Sequence, residues 1–273
     1  MTDSSAPPVC LTIGSSDSGG GAGIQGDIKA LASIGCFTAT VVVGLTAQNT
    51  TGVLGRHPVP VDFVRAQFDA VRADLAVRAV KVGTAWSAEH IAAIADLLSG
   101  LGVPVVLDPV MVSAAGGDLA GADARAELIG SLLPLAEVIT PNVAEARLIT
   151  GDGTSGARTL AQRMIDLGAP AVVVTSGGED DGDWFADGLS LVRLDRPNHR
   201  TGAEHGAGCA HSALITGLRA HGFPLPEAVR TATELASGAV RDGLTSVGRG
   251  VHPVDTLGLP PRSPRRRVPA DHV

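Results

Sequence analysis

Short apolar runs typical of buried β-strands alternate with helical stretches through most of this chain. The first pair is the apolar run Cys10–Ile13 and the helical stretch Gly23–Ala32. Comparable runs recur as far as Ala171–Thr175, and most of them precede a segment whose apolar residues have helical spacing. Repeated strand–helix–strand units form parallel sheets with helices on both faces. The alternation therefore predicts the α/β class, with a mostly parallel central sheet.

The segment Leu45–Val59 interrupts this alternation. Its central residues, Gln48-Asn49-Thr50-Thr51-Gly52, are polar and favour a turn. We expect a small β-flap over about residues 45–59, a hairpin that lies outside the main sheet. The alternation resumes beyond it, so residues 9–251 are predicted to form a single domain. Residues 260–273 are rich in proline and arginine and are predicted to be a disordered basic tail.

Composition excludes several classes of protein. The 273 residues are 44% hydrophobic and only 3% aromatic, and the formal net charge is -7. This balance argues against a disordered chain and against nucleic-acid binding. The three cysteines, Cys10, Cys36 and Cys209, lie far apart without metal-ligand spacing, which indicates a reducing compartment. Because the sequence shows neither a membrane-spanning apolar run nor a signal region, we expect a cytoplasmic protein without membrane partners.

The segment His205-Gly206-Ala207-Gly208-Cys209 precedes an apolar helical run that starts near Ala210. Small residues before a helix allow several backbone N–H groups to point at one anion, and the helix N-terminus adds the positive end of its dipole. The same field is expected to lower the pKa of the Cys209 thiol. The segment thus favours phosphoryl transfer. A glycine-rich turn beside a buried cysteine, without a catalytic role, remains the alternative.

Polar or glycine-rich segments follow several of the predicted strands. Ligands bind outside the carboxyl ends of the strands in an open parallel sheet, so these segments are expected to meet there. The sequence therefore predicts one site at this edge of the sheet. Its segments are Gly14–Asp27, Asp108–Met111, Thr140–Asn142 with Glu145, Thr175–Gly178 and Gly206–Cys209.

Gly21, Gly23 and Gly26 form a G-x-G-x-x-G pattern between a predicted strand and a predicted helix. An oxidoreductase that binds a dinucleotide through this pattern also needs a carboxylate about 20 residues further on. The corresponding region, Val43–Gln48, has no carboxylate, and the chain has no P-loop pattern either. The oxidoreductase is therefore a remote alternative, which a comparison of NAD with ATP as ligand would decide.

Six segments, in a fixed order along the chain, together identify a family. They are Gly20–Gln25 with Asp27 and Lys29, Thr46–Thr50, Lys81–Gly83, Asp108–Val112, Thr140–Asn142 with Glu145 and Ala146, and His205–Cys209. From about Val9 to about Val251, the chain resembles the hydroxymethylpyrimidine/phosphomethylpyrimidine kinases of thiamine biosynthesis, in the ribokinase-like superfamily. The resemblance implies a ribokinase-like three-layer αβα fold.

The resemblance also implies a function. The protein would be a homodimer that uses ATP and Mg²⁺ to phosphorylate 4-amino-5-hydroxymethyl-2-methylpyrimidine and then its monophosphate, which gives the pyrophosphate. Cys209 would accept the hydroxymethyl proton as a thiolate or only orient the substrate. The implied site residues are Gly206, Ala207, Gly208 and Cys209 as the catalytic anion hole; Gln48 on the pyrimidine edge, with Gly14, Ala22, Asp27 and Val110 lining the pocket; Asn142, Thr175, Gly177 and Gly178 toward the nucleotide; and Asp108 and Glu145 toward the metal.

Several positions differ from the usual family pattern. Most family members have Pro at Ser18, Met at Thr84, Lys at Ser176, Thr at Ala207, and Asn-Thr at Ala203-Glu204. The changes at Ser176 and Glu204 motivate a second hypothesis, a degenerate protein that binds a pyrimidine without turnover. The nearest enzymatic alternative is a pyridoxal or pyridoxine kinase of the same superfamily, against which Gln48 favours the aminopyrimidine.

Overall fold

The computed structural model describes residues 6–111, 121–177, 182–197 and 199–259. The predicted tail, residues 260–273, and the single residue Gly178 lie outside the described residues. Within them, nine strands form one sheet. The strands are β1 Val9–Asp17, β2 Phe37–Asn49, β3 Gly52–Pro58, β4 Val77–Val82, β5 Val105–Leu107, β6 Val138–Ile139, β7 Ala171–Val174, β8 Asp183–Asp187 and β9 Leu191–Leu194.

The helices alternate with the strands as the sequence predicts. They are α1 Gly23–Ser33, α2 Val61–Asp74, α3 Ala88–Leu98, α4 Gly121–Glu127, α5 Val143–Thr150, α6 Ala157–Asp166, α7 Ala207–Ala220 and α8 Leu225–Arg241, with a π-helical turn and a 3₁₀ turn between α4 and β6. Over the described ranges, none of the helices has both the length and the hydrophobicity to cross a bilayer.

The sheet is mostly parallel, as predicted. Its strand order is β3-β2-β1-β4-β5-β6-β7-β8-β9. The six strands from β2 to β7 in this order are parallel, whereas β3, β8 and β9 pair antiparallel with their neighbours. The carboxyl ends of the parallel strands consequently lie at one edge of the sheet.

Each face of the sheet is covered by its own helices, because successive residues of a strand point to opposite faces. Leu11 and Ile13 of β1 pack on one face with Phe68 of α2 and with residues of α3, α5 and α6. Cys10 of the same strand packs on the other face with Leu214 of α7 and with residues of α1 and α8. The expected three-layer αβα arrangement is confirmed.

The predicted hairpin over residues 45–59 is present, but its expected position outside the main sheet is wrong. Strand β2 continues without a break as far as Asn49, and β3 pairs with its second half as the edge strand of the same sheet. The reason is that β1 is also longer than its apolar run and extends to Asp17, which pairs with Thr46. Gly44, Leu45 and Thr46 of β2 therefore pair with β1 on one side and with β3 on the other.

Candidate active site

The loop that follows β1, residues 17–23, is folded around the side chain of Asp17. Asp17 Oδ1 accepts the N–H of Gly19 at 2.8 Å, and Oδ2 accepts the N–H groups of Gly21 and Ala22 at 3.1 and 2.9 Å. Burial acts to raise the pKa of Asp17, but hydrogen bonds from His205, Ala22 and Gly19 hold it below its usual value. Asp17 is therefore a buried carboxylate that shapes this segment, which we call the front loop.

The segment His205–Cys209, which we call the anion loop, lies directly against the front loop. Helix α7 starts within it at Ala207, after Gly206 with a φ of 84°. His205 Nε2 lies 3.0 Å from Asp17 Oδ2, so His205 is a hydrogen-bonded loop residue. A Cβ atom on Gly206 would lie 1.9 Å from the carbonyl oxygen of Gly21. Two segments that are far apart in sequence thus meet backbone to backbone.

A buried lysine joins two of the predicted site residues. Lys81 is the central charge: its Nζ lies 2.5 Å from Asp27 Oδ1 and 3.6 Å from Asp108 Oδ2. Burial raises the pKa of Asp27, while the charge of Lys81 acts against this rise. The other carboxylate oxygen of Asp27 accepts the hydroxyl of Thr12 at 2.5 Å. Asp27 therefore lies beneath the site with both oxygens engaged.

The prediction that the anion loop lowers the pKa of Cys209 is wrong. Burial raises the pKa of this thiol to about 12, and although Lys81 opposes the rise, the charges of Asp108 and Asp27 add to it. A hydrogen bond from the N–H of Gly23 favours the thiolate but does not outweigh these effects. Cys209 is accordingly a thiol at neutral pH.

The residues predicted for the nucleotide lie together at the ends of β6 and β7. Asn142 caps α5 and accepts the N–H of Glu145 at 2.9 Å, while Glu145 Oε2 accepts the N–H of Asn142 at 3.0 Å. The carbonyl of Thr175 accepts the N–H of Val143 at 3.0 Å. Gly177 follows with a φ of 63°. Asn142, Thr175 and Gly177 are thus neighbours, and Gly178 lies outside the described residues.

The two residues predicted for the metal are both buried carboxylates. Asp108 Oδ2 accepts the hydroxyl of Ser212, on α7, at 3.0 Å. Glu145 Oε1 accepts the N–H of Met111 at 3.3 Å, so Glu145 connects α5 to the segment after β5. Across the described ranges, no group of three His, Cys, Asp or Glu side chains is arranged to hold a metal ion. A metal at Asp108 and Glu145 therefore stays a prediction.

Gln48 is held by its backbone to the front loop. The hydroxyl of Ser18 donates to the carbonyl of Gln48 at 2.7 Å and accepts the N–H of Gln48 at 2.8 Å. The hydroxyl of Thr46 donates to Gln48 Oε1 at 3.1 Å. A proline at position 18, the residue that the family resemblance leads one to expect, would have no hydroxyl and could make neither bond to the backbone of Gln48. Ser18, one of the positions at which this chain differs from the family pattern, therefore holds the backbone of Gln48 in place.

The other predicted pocket residues border the same region. Gly14 lies beside Gly83, since a Cβ on Gly14 would be 3.8 Å from the Cα of Gly83. Val110 lines a small cleft with Thr84 and Trp86. Trp86 has a φ of 66°, uncommon for a residue other than glycine, and its ring lies against Gly44, where a Cβ would be 2.4 Å from Cε3. Ala22 belongs to the front loop, and its Cα would lie 3.5 Å from a Cβ atom on Gly206.

Two further departures have clear structural consequences. Ser176 is buried, and both its N–H and its hydroxyl donate to Asp183 Oδ1, at 2.8 and 3.1 Å. The carboxylate of Asp183 also pairs with Arg196. Glu204 is exposed, and its Oε1 accepts the N–H of Gly202 at 3.1 Å. The negative charge of Glu204 is therefore directed at Gly202, its own loop neighbour.

Sequence reasoning missed the roles of Asp17 and Lys81. Asp17 is followed by Ser18-Gly19-Gly20-Gly21, and an aspartate before such residues commonly accepts backbone N–H groups of the turn it begins. Lys81 stands alone among the apolar residues Val80 and Val82. A lysine within a buried strand requires a buried counter-ion, and this signal alone would have indicated a partner such as Asp27.

A mostly parallel αβα sheet, with an anion loop that opens a helix opposite a glycine-rich loop, defines a small-molecule kinase of the ribokinase-like type. A model of the phosphomethylpyrimidine kinase family matches residues 17–255, and the chain belongs to this family. The hydroxymethylpyrimidine/phosphomethylpyrimidine kinase of Rhizobium meliloti (strain 1021) is 45% identical over 255 residues, which are 90% of this chain and 96% of that protein. The resemblance noted in the sequence is confirmed.

Solved structures support the same fold. The ADP complex of Bacillus subtilis pyridoxal kinase has a TM-score of 0.85 at 30% identity and covers 92% of this chain and 98% of its own. The phosphomethylpyrimidine kinase of Clostridium difficile 630 has a TM-score of 0.72 at 34% identity and covers 82% of this chain and 95% of its own. The ribokinase-like fold is thereby confirmed.

His211, on α7 near this site, predicts a pH-dependent stability. Its Nε2 lies 3.1 Å from the hydroxyl of Thr233, which itself donates to the carbonyl of Val229, so Nε2 must carry the proton of a neutral ring. Burial lowers the pKa of His211 to about 4, although Asp183 and Asp108 oppose the shift. The unfolded chain gains this proton near pH 6.5 and the folded chain only near pH 4, so acid favours unfolding between these values.

The free energy of unfolding should consequently fall as the pH is lowered from about 6.5 to about 4, with His211 contributing up to about 1.4 kcal/mol per pH unit. Urea denaturation of the parent and of His211→Gln at several pH values measures this contribution. The exposed His57→Gln is the matched control. Parallel curves for the parent and His211→Gln would contradict the assignment.

Proposed function

We propose that the protein transfers the terminal phosphoryl group of ATP to the hydroxymethyl group of 4-amino-5-hydroxymethyl-2-methylpyrimidine, and then phosphorylates the monophosphate to the pyrophosphate. This places it in thiamine biosynthesis. The observation that carries the proposal is the contact between the anion loop and the front loop beside Asp108 and Lys81. Membership in the phosphomethylpyrimidine kinase family supports it.

The anion loop supplies the electrostatic part of the reaction. Phosphoryl transfer depends on positioning and on neutralising charge, with little covalent chemistry for the protein to perform. The N–H groups of Gly206, Gly208 and Cys209 lie at the start of α7, where they and the helix dipole would stabilise a transferred anion. The N–H of Ala207, the fourth residue of the predicted anion hole, donates to the carbonyl of Glu204 at 3.1 Å. The contact of Gly206 with Gly21 holds these donors in place.

Carboxylates at the edge of the sheet fit a magnesium ion. Mg²⁺ prefers hard oxygen ligands and commonly uses only one or two protein carboxylates. Asp108 would hold the ion, because Lys81 lies nearer to Asp27 than to Asp108 and leaves Asp108 less neutralised. Glu145, whose oxygens already accept two backbone N–H groups, would accept hydrogen bonds from water on the ion. When bound, the ion offsets the negative charge of the nucleotide phosphates.

The remaining residues would bind the two substrates. Asn142, Thr175 and Gly177, with Gly178 next along the chain, would lie along ATP at the ends of β6 and β7. On the acceptor side, the amide of Gln48 can donate and accept at once, which matches the edge of an aminopyrimidine. Gly14, Ala22 and Val110 would line the ring pocket, above the buried Asp27.

We expect Cys209 to orient the substrate hydroxyl as a neutral thiol. Its raised pKa opposes a thiolate base, and the loose transition state of phosphoryl transfer does not require early removal of the hydroxyl proton. Cys209→Ala is expected to lower kcat by about 10²-fold, because misplacing a reacting group by about 1 Å has this effect. Cys209→Ser, which keeps a hydrogen-bonding group, should lose less.

Steady-state kinetics and thermal unfolding of both Cys209 variants test this role. The melting temperature should change little, since Cys209→Ala removes a single sulfur atom and Cys209→Ser replaces it by an oxygen atom. Equal turnover by Cys209→Ala and the parent would contradict any catalytic role for Cys209.

An ADP-release assay with ATP and Mg²⁺ tests the proposed function. The acceptors are hydroxymethylpyrimidine, its monophosphate and pyridoxal, and mass spectrometry identifies each product. Turnover of the first two with little on pyridoxal is the expected result. A preference for pyridoxal would replace the proposal with a vitamin B6 kinase, and binding of the pyrimidine without turnover would indicate a non-catalytic protein.

We also propose a homodimer in the cytoplasm whose residues 9–251 form one domain. Strongly exposed apolar side chains such as Leu54 (81%) and Phe63 (61%) lie on or near the edge strand β3, and a second copy of the chain could bury them.

The proposed compartment and domain bounds have separate grounds. Free thiols at Cys10, Cys36 and Cys209 agree with a reducing compartment. Light scattering during size-exclusion chromatography measures the oligomeric state, and limited proteolysis tests the domain bounds.

A further inference from the structure

The hairpin that presents Gln48 is also attached on its other side, at Thr50. The carbonyl of Thr50 accepts the N–H of Val251 at 3.0 Å. The hydroxyl oxygen of Thr50 accepts the N–H groups of Arg249 and Gly250 at 3.1 and 3.2 Å. One threonine thus makes three hydrogen bonds with residues 244–255, which we call the C-terminal segment.

The fit between Thr50 and the C-terminal segment is close. A Cβ on Gly250 would lie 1.9 Å from the carbonyl oxygen of Thr50, and a Cβ on Gly248 would lie 2.2 Å from its Oγ1. Gly248 also has a φ of 79°, which favours glycine. The absence of side chains at these two positions is what allows the backbone to approach the hairpin.

The same C-terminal segment is bound to the anion loop. The N–H of His205 donates to the carbonyl of His252, and the N–H of Val254 donates to the carbonyl of His205, both at 3.1 Å. The N–H of Asp255 donates to the carbonyl of Ala239 in α8 at 3.0 Å, which anchors the segment to a helix. The segment therefore lies between the hairpin and the loop that receives the phosphoryl group.

These contacts close a ring around the site. Gln48 is bonded to Ser18 of the front loop, the front loop is bonded through Asp17 to His205, and His205 is bonded to the C-terminal segment. Thr50 then joins this segment back to the hairpin. The three hydrogen bonds of Thr50 thus close this ring on the side of the hairpin.

We propose that the C-terminal segment is a positioning element, and that Thr50 is the residue through which it sets the distance between Gln48 and the anion loop. Thr50 acts through Gln48 and is not itself a catalytic residue. The inference rests on the proposed function, because it assigns Gln48 to the acceptor substrate. It follows that loss of the Thr50 hydroxyl should raise KM for the acceptor substrate and leave the affinity for ATP unchanged.

The test compares Thr50→Val, which removes the hydroxyl at nearly constant volume, with Thr50→Ser, which keeps it. The matched control is Thr51→Val, because the hydroxyl of Thr51 bonds only locally, to Asn49 Oδ1 at 2.6 Å. Thr50→Val is expected to raise KM for hydroxymethylpyrimidine by about 10-fold, as the reactive geometry is sensitive to shifts of about 1 Å. Thr50→Ser and Thr51→Val should remain within about twofold of the parent, because both keep the two hydrogen bonds to the hydroxyl oxygen at position 50, whereas Thr50→Val keeps only the backbone bond from Val251.

Two measurements separate positioning from a general loss of structure. Calorimetric titration with the non-hydrolysable nucleotide AMP-PCP should give the same Kd for the parent and Thr50→Val, and the melting temperatures should agree. An unchanged KM for the pyrimidine in Thr50→Val would overturn the inference. So would equal weakening of both substrates together with a lower melting temperature.

Failure of this inference is distinct from failure of the proposed function. The function is tested by the parent protein alone, through its turnover of the pyrimidine. If the parent used pyridoxal instead, the same Thr50 variants measured with pyridoxal would still test the positioning role. An acceptor KM that rises in Thr50→Val and returns in Thr50→Ser supports the inference in either case.

Discussion

Replacing Gly206 by alanine is expected to lower kcat/KM for the pyrimidine by about 10³-fold, a loss comparable to removing an oxyanion-hole donor and misplacing the reacting groups. The new Cβ would lie 1.9 Å from the carbonyl oxygen of Gly21, a distance that no rotation of a side chain can relieve. Alanine is also strained at the φ of 84° that Gly206 adopts. The anion loop and the front loop must therefore separate, and the N–H groups at the start of α7 lose their alignment.

Steady-state kinetics on purified Gly206→Ala measures this effect, and circular dichroism verifies that the variant is folded. Gly153→Ala is the matched control, because a Cβ at Gly153 meets no atom within 4 Å. The control should keep the parent's activity. Parent-like kinetics in Gly206→Ala would show that the contact between the two loops is not needed for the reaction.

Replacing Lys81 by methionine is expected to lower the free energy of unfolding by about 3–5 kcal/mol, the usual result of removing one partner from a buried ion pair. Lys81 and Asp27 are both almost inaccessible to solvent, and Asp108 lies at 3.6 Å from the same ammonium group. Methionine fills a similar volume but leaves two buried carboxylates without a counter-ion. The loss should therefore come from the charges and not from packing.

Urea denaturation of Lys81→Met, Asp27→Asn and the double variant measures the coupling between the two residues. The double variant should be more stable than Lys81→Met alone, because an amide at position 27 does not need a cation. Arg65→Met, which breaks the exposed pair of Arg65 with Asp96, is the control and should cost less than about 1 kcal/mol. A loss of similar size in Lys81→Met and Arg65→Met would contradict the charge argument.

The overall architecture could be predicted because its signals are local. Apolar runs such as Cys10–Ile13 and the helical spacing of the segments between them determine the class of the fold. The position of the hairpin could not be predicted in the same way. It depends on β1 reaching Asp17 and pairing with Thr46, and the polar end of β1, Gly14-Ser15-Ser16-Asp17, has no apolar pattern that would indicate a strand.

The candidate site could likewise be predicted from the sequence only in part. Strand ends and glycine loops indicated which segments meet, because the carboxyl ends of parallel strands share one edge. The pKa of Cys209 depends on its burial and on the charges of Lys81, Asp108 and Asp27, which surround the thiol only once the chain is folded. The contact of Thr50 with residues 249–251 could not be predicted either, because it joins positions about 200 residues apart and no local pattern in the sequence indicates it.

Trp86, in the wall of the cleft, gives the protein a fluorescent group at this position. The chain has no tyrosine and only two tryptophans, so its emission on selective excitation of tryptophan comes from two indole rings. Trp86 borders the cleft with Val110, whereas Trp184 lies on β8 under the guanidinium of Arg158, 5.5 Å from the ring centre. With Trp184 replaced by phenylalanine, the remaining fluorescence would arise from a single position, next to the region that we assign to the acceptor. The protein thus contains its own spectroscopic label at that site.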